Sequence, residues 1–292
     1  MAPVVVGIDG SEQSLEAVRT AAAEAARRHL PLRIVHAFVW PLLHVRVGPV
    51  AGDMPGTGLE QHAQELLGEA ASAAREVAPR LEITTDLVDG AATPVLLEAS
   101  RTAALLVLGD RGLGSVSGLI VGSVAVHASA HAHCPVLVVR GTVTPSGPIV
   151  VGVDGSESSE LAVGFAYEEA ARRGAPLSAV MAWHESDPAG AHQWRSADDA
   201  AELFEAEARR VLSESLAGWR EKFPEVDVRP EAVHGHPRQV LVERSHIAQL
   251  VVAGARGRDT FKGLLLGSVS QSLVYHSGCP VAVVRGIEEG TS

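Results

Sequence analysis

Apolar runs of four or five residues alternate along this chain with longer stretches in which apolar residues recur every three or four positions, and that alternation predicts strands exchanging with helices. Val4-Val5-Val6-Gly7-Ile8 reads as a buried strand that ends in the turn Asp9-Gly10-Ser11. From Ser14 to Arg28, the apolar positions Leu15, Val18, Ala22 and Ala25 share one helical face. Leu32 to Val39 is the second strand, Leu59 to Val77 a long helix and Leu81 to Val88 the third strand; Trp40 to Gly58, rich in Gly and Pro and without a period, reads as a surface loop. A short helix over Pro94 to Thr102, a strand from Leu105 to Leu108, a helix from Ser123 to about His131 and a last strand from Val136 to Arg140 complete the pattern. Strands joined by helical crossovers form a parallel sheet with helices on both faces, so the fold class is α/β and doubly wound.

The pattern then occurs a second time. Val151 to Glu157 matches Val6 to Glu12, and Cys279-Pro280-Val281 matches Cys134-Pro135-Val136, both at a shift of 145 positions. Thr142 to Pro148 has linker composition. Two repeated α/β domains are expected, residues 1–141 and 149–292, joined by residues 142–148, and a length of 292 residues suits two domains of ~150.

Each repeat carries one glycine pattern between an apolar strand and a helix: Gly109, Gly112 and Gly122 in the first, Gly254, Gly257 and Gly267 in the second. Glycine lets main-chain N–H groups approach an anion closely, and a helix start offers N–H groups with no internal partner and a favourable dipole. Two such surfaces suit a di- or triphosphate. In an open parallel sheet ligands lie beyond the carboxyl ends of the strands, which brings Asp9 and Asp154 to the same edge. Each acid could accept a ribose hydroxyl or hold a cation through water; the plainer alternative is that Asp-Gly-Ser turns the chain and caps the first helix. Arg111 and Arg256 are candidates for phosphate oxygens or are solvated loop charges, the two readings weighing equally.

A net charge of −11 disfavours a nucleic-acid or membrane-surface binder, and no apolar run approaches the ~20 residues of a membrane span. Cys134 and Cys279, one per repeat, read as small core residues of a reducing, cytoplasmic compartment. His131 with His133 and His234 with His236 have the alternate spacing of metal ligands, but no acid or cysteine completes a set, so a structural role is expected and no metal site is assigned. His131 matches His276 across the repeat, which suggests a helix-end role.

Gly-x-x-Gly-x9-Gly-Ser before a Cys-Pro-Val strand, with an opening Val-Gly-x-Asp-Gly-Ser, resembles the universal stress protein family in its tandem-domain, ATP-binding form, over nearly the whole chain. The resemblance implies a five-stranded parallel sheet per domain in the order 3-2-1-4-5, with ATP, and with it Mg2+, at the strand ends. It places Asp9 and Asp154 against the nucleoside, the main chain near Ala37 and Ala182 at adenine, and Gly109, Arg111, Gly112, Gly122, Ser123 and Val124 at ribose and phosphates. In the second repeat the same roles fall to Gly254, Arg256, Gly257, Gly267, Ser268 and Val269. The candidate set extends to Gly7 and Gly152 in the first strands and to Asp110, Gly114 and Ser115 in the first loop. Ser270 is expected to add a phosphate contact that Ala125 lacks, and Asp110 sets a negative charge where the second loop has Ala255; tighter binding in the second domain is therefore expected.

Function narrows to a nucleotide-binding stress regulator with little or no turnover, with a slow ATPase or a transferase as the alternative and an interaction module that has lost its ligand as the third class. The sequence holds no GxxxxGK[ST] loop whose lysine would serve phosphoryl transfer. The last strand of each domain, Val136 to Val139 and Val281 to Val284, is an apolar edge that invites pairing. The two domains are expected to pack as a pseudo-dimer, and two chains to form a homodimer.

Overall fold

A computed structural model describes residues 1–38, 57–112, 121–184, 197–258 and 266–286. In the first repeat the elements run β1 (Val4–Ile8), α1 (Glu12–Arg28), β2 (Leu32–Phe38), α2 (Thr57–Val77), β3 (Ile83–Asp89), α3 (Ala92–Ser100), β4 (Leu105–Gly109), α4 (Ser123–His131) and β5 (Val136–Val139). In the second they run β6 (Ile149–Gly152), α5 (Glu157–Arg173), β7 (Leu177–Trp183), α6 (Ala197–Lys222), β8 (Val228–His234), α7 (Pro237–Ser245), β9 (Leu250–Gly254), α8 (Ser268–His276) and β10 (Val281–Val284). The expected loop from Trp40 lies outside the described residues as far as 56, and its last two residues, Thr57 and Gly58, open α2.

The chain divides into two compact units, Met1–Cys134 and Pro135–Ser292. The first holds parallel strands in the order β3-β2-β1-β4; the second holds β8-β7-β6-β9-β10, all parallel, which is the 3-2-1-4-5 order of the second repeat. β5 packs with the second unit, where it lies antiparallel to β10 with Val138 opposite Val281 and Val136 opposite Val283. For that reason the compact units part at Cys134, ahead of the repeat boundary read from the sequence. In each unit two pairs of helices, α1 with α2 and α3 with α4, then α5 with α6 and α7 with α8, cover the sheet on both faces. Strands buried from both sides must be apolar at every position, and β1, β5 and β10 are buried throughout.

α1 begins at Glu12, two residues before its apolar period, because Ser11 caps it and accepts from the Ser14 N–H at 3.2 Å. Ser156 caps α5 in the same way through Ser159. Near the ends of these helices Glu24 and Glu169, each 1 % exposed, are neutralised by Arg27 and Arg28 and by Arg172 and Arg173. At the end of α8, the Arg140 guanidinium donates to the carbonyls of Val274 and of Leu273, the latter also accepting from the Ser277 N–H that ends the helix.

Both cysteines are buried and free. Burial pushes the Cys134 thiol up to about 12 and the Cys279 thiol up to about 11. The thiolate is the reactive form, so neither residue should react with a thiol-exchange reagent at pH 8 until denaturant is added; rapid labelling of the native protein would contradict the packing. The sign of the linkage also follows. A raised thiol pKa contributes stability that is complete below the ordinary value near 9 and is lost as the pH climbs toward 11 and 12.

Candidate functional site

In both repeats the loop after the first strand folds back on its own carboxylate. Asp9 Oδ1 accepts from the Ser11 N–H at 3.0 Å and from its hydroxyl at 2.6 Å; Asp154 Oδ1 accepts from Ser156 at 2.9 and 2.6 Å. One oxygen of each acid therefore makes the turn and positions the cap. The other oxygen faces the glycine loop: Asp154 Oδ2 accepts from the Arg258 N–H at 3.1 Å. A Cβ on Gly257 would sit 2.6 Å from Asp154 Oδ2, and one on Gly112 only 2.1 Å from Asp9 Oδ2. Glycine is required at these positions because the carboxylate occupies the space of a side chain.

Gly109 and Gly254 answer to a different neighbour. A Cβ on Gly109 would meet the Gln13 carbonyl oxygen at 2.9 Å, and one on Gly254 the Ser158 hydroxyl at 2.4 Å, so the strand end passes close beneath the first turn of α1 or α5. Gly7 and Gly152 face leucine side chains, Leu96 and Leu108 in the first unit and Leu241 in the second, and make room for packing.

The loop is closed at its far end by one hydrogen bond in each repeat, from the Gly122 N–H to the Asp110 carbonyl and from the Gly267 N–H to the Ala255 carbonyl, both 2.7 Å. Gly122 and Gly267 are the N-caps of α4 and α8, and neither helix has a side-chain cap. Those starts differ from α1 and α5, where serine supplies the acceptor. Ser123 and Ser268 are exposed at the first turn, with Val124 and Val269 half-buried beside them. Gly114 and Ser115 lie outside the described residues.

Ser270 departs from expectation. It is 2 % exposed, and its hydroxyl donates to the Gly254 carbonyl, tying α8 to the end of β9 instead of facing the loop. Ala125, its counterpart, is equally buried. The difference between the two is a strand-end hydrogen bond, not a phosphate contact. Asp110 is 8 % exposed, with Arg111 Nε 3.7 Å from its Oδ1, while the Arg111 side chain is half exposed. Arg256 is half-buried, and its N–H donates to the Ser158 hydroxyl at 3.3 Å.

At the second strand, Ala37 pairs with Val88 and Ala182 with Val233, and both are half exposed at the carboxyl ends of β2 and β7. Beside Ala182 the second unit gathers four rings: Trp183 lies 4.7 Å from His234 and His184 lies 4.5 Å from His236 between ring centroids. The counterparts of Trp183, His234 and His236 in the first repeat are Phe38, Asp89 and Ala91. His131 Nδ1 lies 3.0 Å from the His127 carbonyl at the end of α4, which is the helix-end place expected for it. Among the described residues, no three of His, Cys, Asp and Glu are grouped so as to hold a metal ion, and no helix is long and apolar enough to cross a membrane.

Three participants escaped the sequence reading. Arg258 contributes a main-chain N–H, and Gln13 and Ser158 contribute the helix turns that press on the strand ends. A main-chain donor leaves no trace in residue type, and a first-turn Gln or Ser looks like any solvent-facing residue.

The universal stress protein family model matches residues 1–140 and again residues 146–285. Two universal stress proteins of Mycobacterium tuberculosis (strain ATCC 25618 / H37Rv) are each 37 % identical over 293 residues, covering 97 % of this chain and 96 % of their own length. Among solved structures, a universal stress protein from Archaeoglobus fulgidus DSM 4304 aligns with a TM-score of 0.68 at 18 % identity, covering 98 % of this chain and 97 % of its own, a likeness of fold.

Proposed function

This chain belongs to the universal stress protein family, and from that premise we propose that each repeat binds one adenine nucleotide, ATP with Mg2+, whose occupancy sets the conformation or assembly of the protein with little or no turnover. The observation that carries the reading is made twice. In each repeat a glycine loop closes onto a helix start that has no side-chain cap, and the carboxylate of the first strand lies under the same loop. Main-chain N–H groups there supply what a phosphate chain needs in a protein whose overall charge is negative.

Low turnover is supported by the state of the two acids. Asp154 has both oxygens engaged, Oδ1 by Ser156 and Oδ2 by Arg258, and Asp9 is held by Ser11. A carboxylate held in this way by the donors of its own turn and loop has a scaffolding role. Asp9 and Asp154 thus act first as scaffolds of the phosphate loop.

Tighter binding in the second domain now rests on two asymmetries. Asp110 keeps a buried carboxylate in the first loop, where the second has Ala255. The His234 and His236 rings near Ala182 offer a base a stacking surface where the first repeat has Asp89 and Ala91. The Ser270 hydroxyl drops out of the comparison.

The test is nucleotide analysis of the denatured, purified protein, followed by incubation of the native protein with ATP and Mg2+. Copurified ATP without ADP accumulation is the expected result. Steady ADP release would select the ATPase alternative, and a chain that neither carries nor takes up adenine nucleotide would remove the reading.

A further inference from the structure

The shift of 145 residues makes each half of the chain a control for the other. Between α6 and the edge strand β8, the second unit has an open cleft of about 540 Å3, a size usual for small-molecule sites. Leu212 and Leu216 of α6, both buried, and Pro230 of β8 give it an apolar floor, while Arg209, Arg220 and Arg244 converge on it from α6 and α7. The corresponding residues of the first repeat are Gln64, Arg75 and Ala99, so two of the three guanidinium groups belong to the second repeat alone. The chain as a whole carries a charge of −11, which makes a cleft lined by three arginines and one carboxylate, Glu231, with Glu205 paired to Arg209 beside it, a departure from its surroundings.

The arginines are anchored with donors to spare. Glu231 accepts from the Ser178 hydroxyl at 2.6 Å on one oxygen and lies 2.8 Å from Arg244 on the other, so it orients Arg244. In the first repeat the matching acid, Asp86, is held by Arg33 at 2.5 Å from the neighbouring strand, and Ala99 stands where the second repeat has Arg244. Arg220 lies against the Tyr167 hydroxyl. Arg209 pairs with Glu205 at 2.5 Å in an exposed pair, which is weak in water and exchanges readily for a better anion. A guanidinium has five N–H donors, and one anchoring contact leaves most of them for a ligand.

The edge of β8 argues against a peptide strand as occupant. The bonds Leu177 N–H to Asp227 and Gly235 N–H to Trp183 turn the odd-numbered residues of β8 toward β7. Pro230 therefore faces the open side and has no N–H to offer an added strand.

We propose that this cleft binds a small organic anion, a phosphate or carboxylate head on an apolar body, in the second unit only. Calorimetric titration of the full chain with octyl phosphate should show one site per chain, with octanol and inorganic phosphate each at least about tenfold weaker. The double variant Arg209→Gln, Arg244→Ala restores the residues of the first repeat and should lose about tenfold or more in affinity, whereas Arg209→Lys, Arg244→Lys should keep most of it. ATP should neither compete with octyl phosphate nor bind differently to either variant. No saturable binding at millimolar octyl phosphate, equal binding of octanol or of inorganic phosphate, two sites per chain, competition by ATP, or an unchanged affinity in the Gln/Ala variant would each overturn the proposal. If that double variant melts well below the parent protein, Arg209→Gln alone, at a surface position, makes the same comparison.

Discussion

Gly257→Ala is expected to weaken nucleotide binding by the second domain by about a hundredfold, and Gly112→Ala to do the same in the first. The added Cβ would stand 2.6 Å from Asp154 Oδ2 in one case and 2.1 Å from Asp9 Oδ2 in the other, distances at which something must move. Asp154 cannot yield cheaply, because its two oxygens hold Ser156 and Arg258. The loop moves instead, and its N–H groups turn away from the anion. Two charge-assisted hydrogen bonds, at roughly 1.5 kcal/mol or more each, amount to about two powers of ten. Gly68→Ala, in α2 with nothing near the new methyl group, is the control: it should leave binding unchanged. Calorimetry with ATP on the three variants decides the matter, and wild-type affinity in Gly257→Ala would show that the loop does not hold the phosphates.

The largest expected loss of stability is at Tyr167. Its side chain is fully buried, and its ring stacks at 6.0 Å from both Trp219 and Phe223, filling the space between α5 and α6. Truncation to alanine should cost about 3–5 kcal/mol. Tyr167→Phe keeps the ring and gives up a long 3.5 Å contact to the Leu216 carbonyl and the neighbouring Arg220, so it should cost about 1 kcal/mol or less. Urea denaturation of the two variants gives the comparison. Similar losses in both would mean that the hydroxyl matters more than the ring.

The same place shows what a sequence conceals. The counterparts of Tyr167, Trp219 and Phe223 in the first repeat are Ala22, Ala74 and Ala78, all buried. One pair of helices is packed with methyl groups and the other with rings, yet both keep the period that made the helices legible. Element order, the duplication and the parallel sheet followed from periodicity and from the shift of 145 residues, because those signals depend only on residue type and spacing. The start of α1 was placed late because Glu12 and Gln13 carry no apolar signal, and the cap that starts the helix is a matter of backbone geometry. The glycines were recognised for the freedom they give an anion. Their neighbours were not, since the pressure of Gln13 on Gly109 or of Asp9 on Gly112 appears only when distant segments are brought together. Ser270 was misread for the same reason: a serine near a helix start can turn toward a ligand or toward a strand, and its spacing is identical in both cases. Arg209, Arg220 and Arg244 converge from two helices and carry no motif at all.

The antiparallel contact of β5 with β10 has a consequence for synthesis. β5 leaves the ribosome about 145 residues before the strand that covers its edge, which at roughly 5–20 residues per second is a wait on the order of ten seconds. During that interval Val136 to Val139, buried in the finished protein, presents an apolar border with no mate. A nascent chain halted before Val281 therefore exposes a sticky rim, and chaperones that recognise short aliphatic segments should engage it until translation resumes.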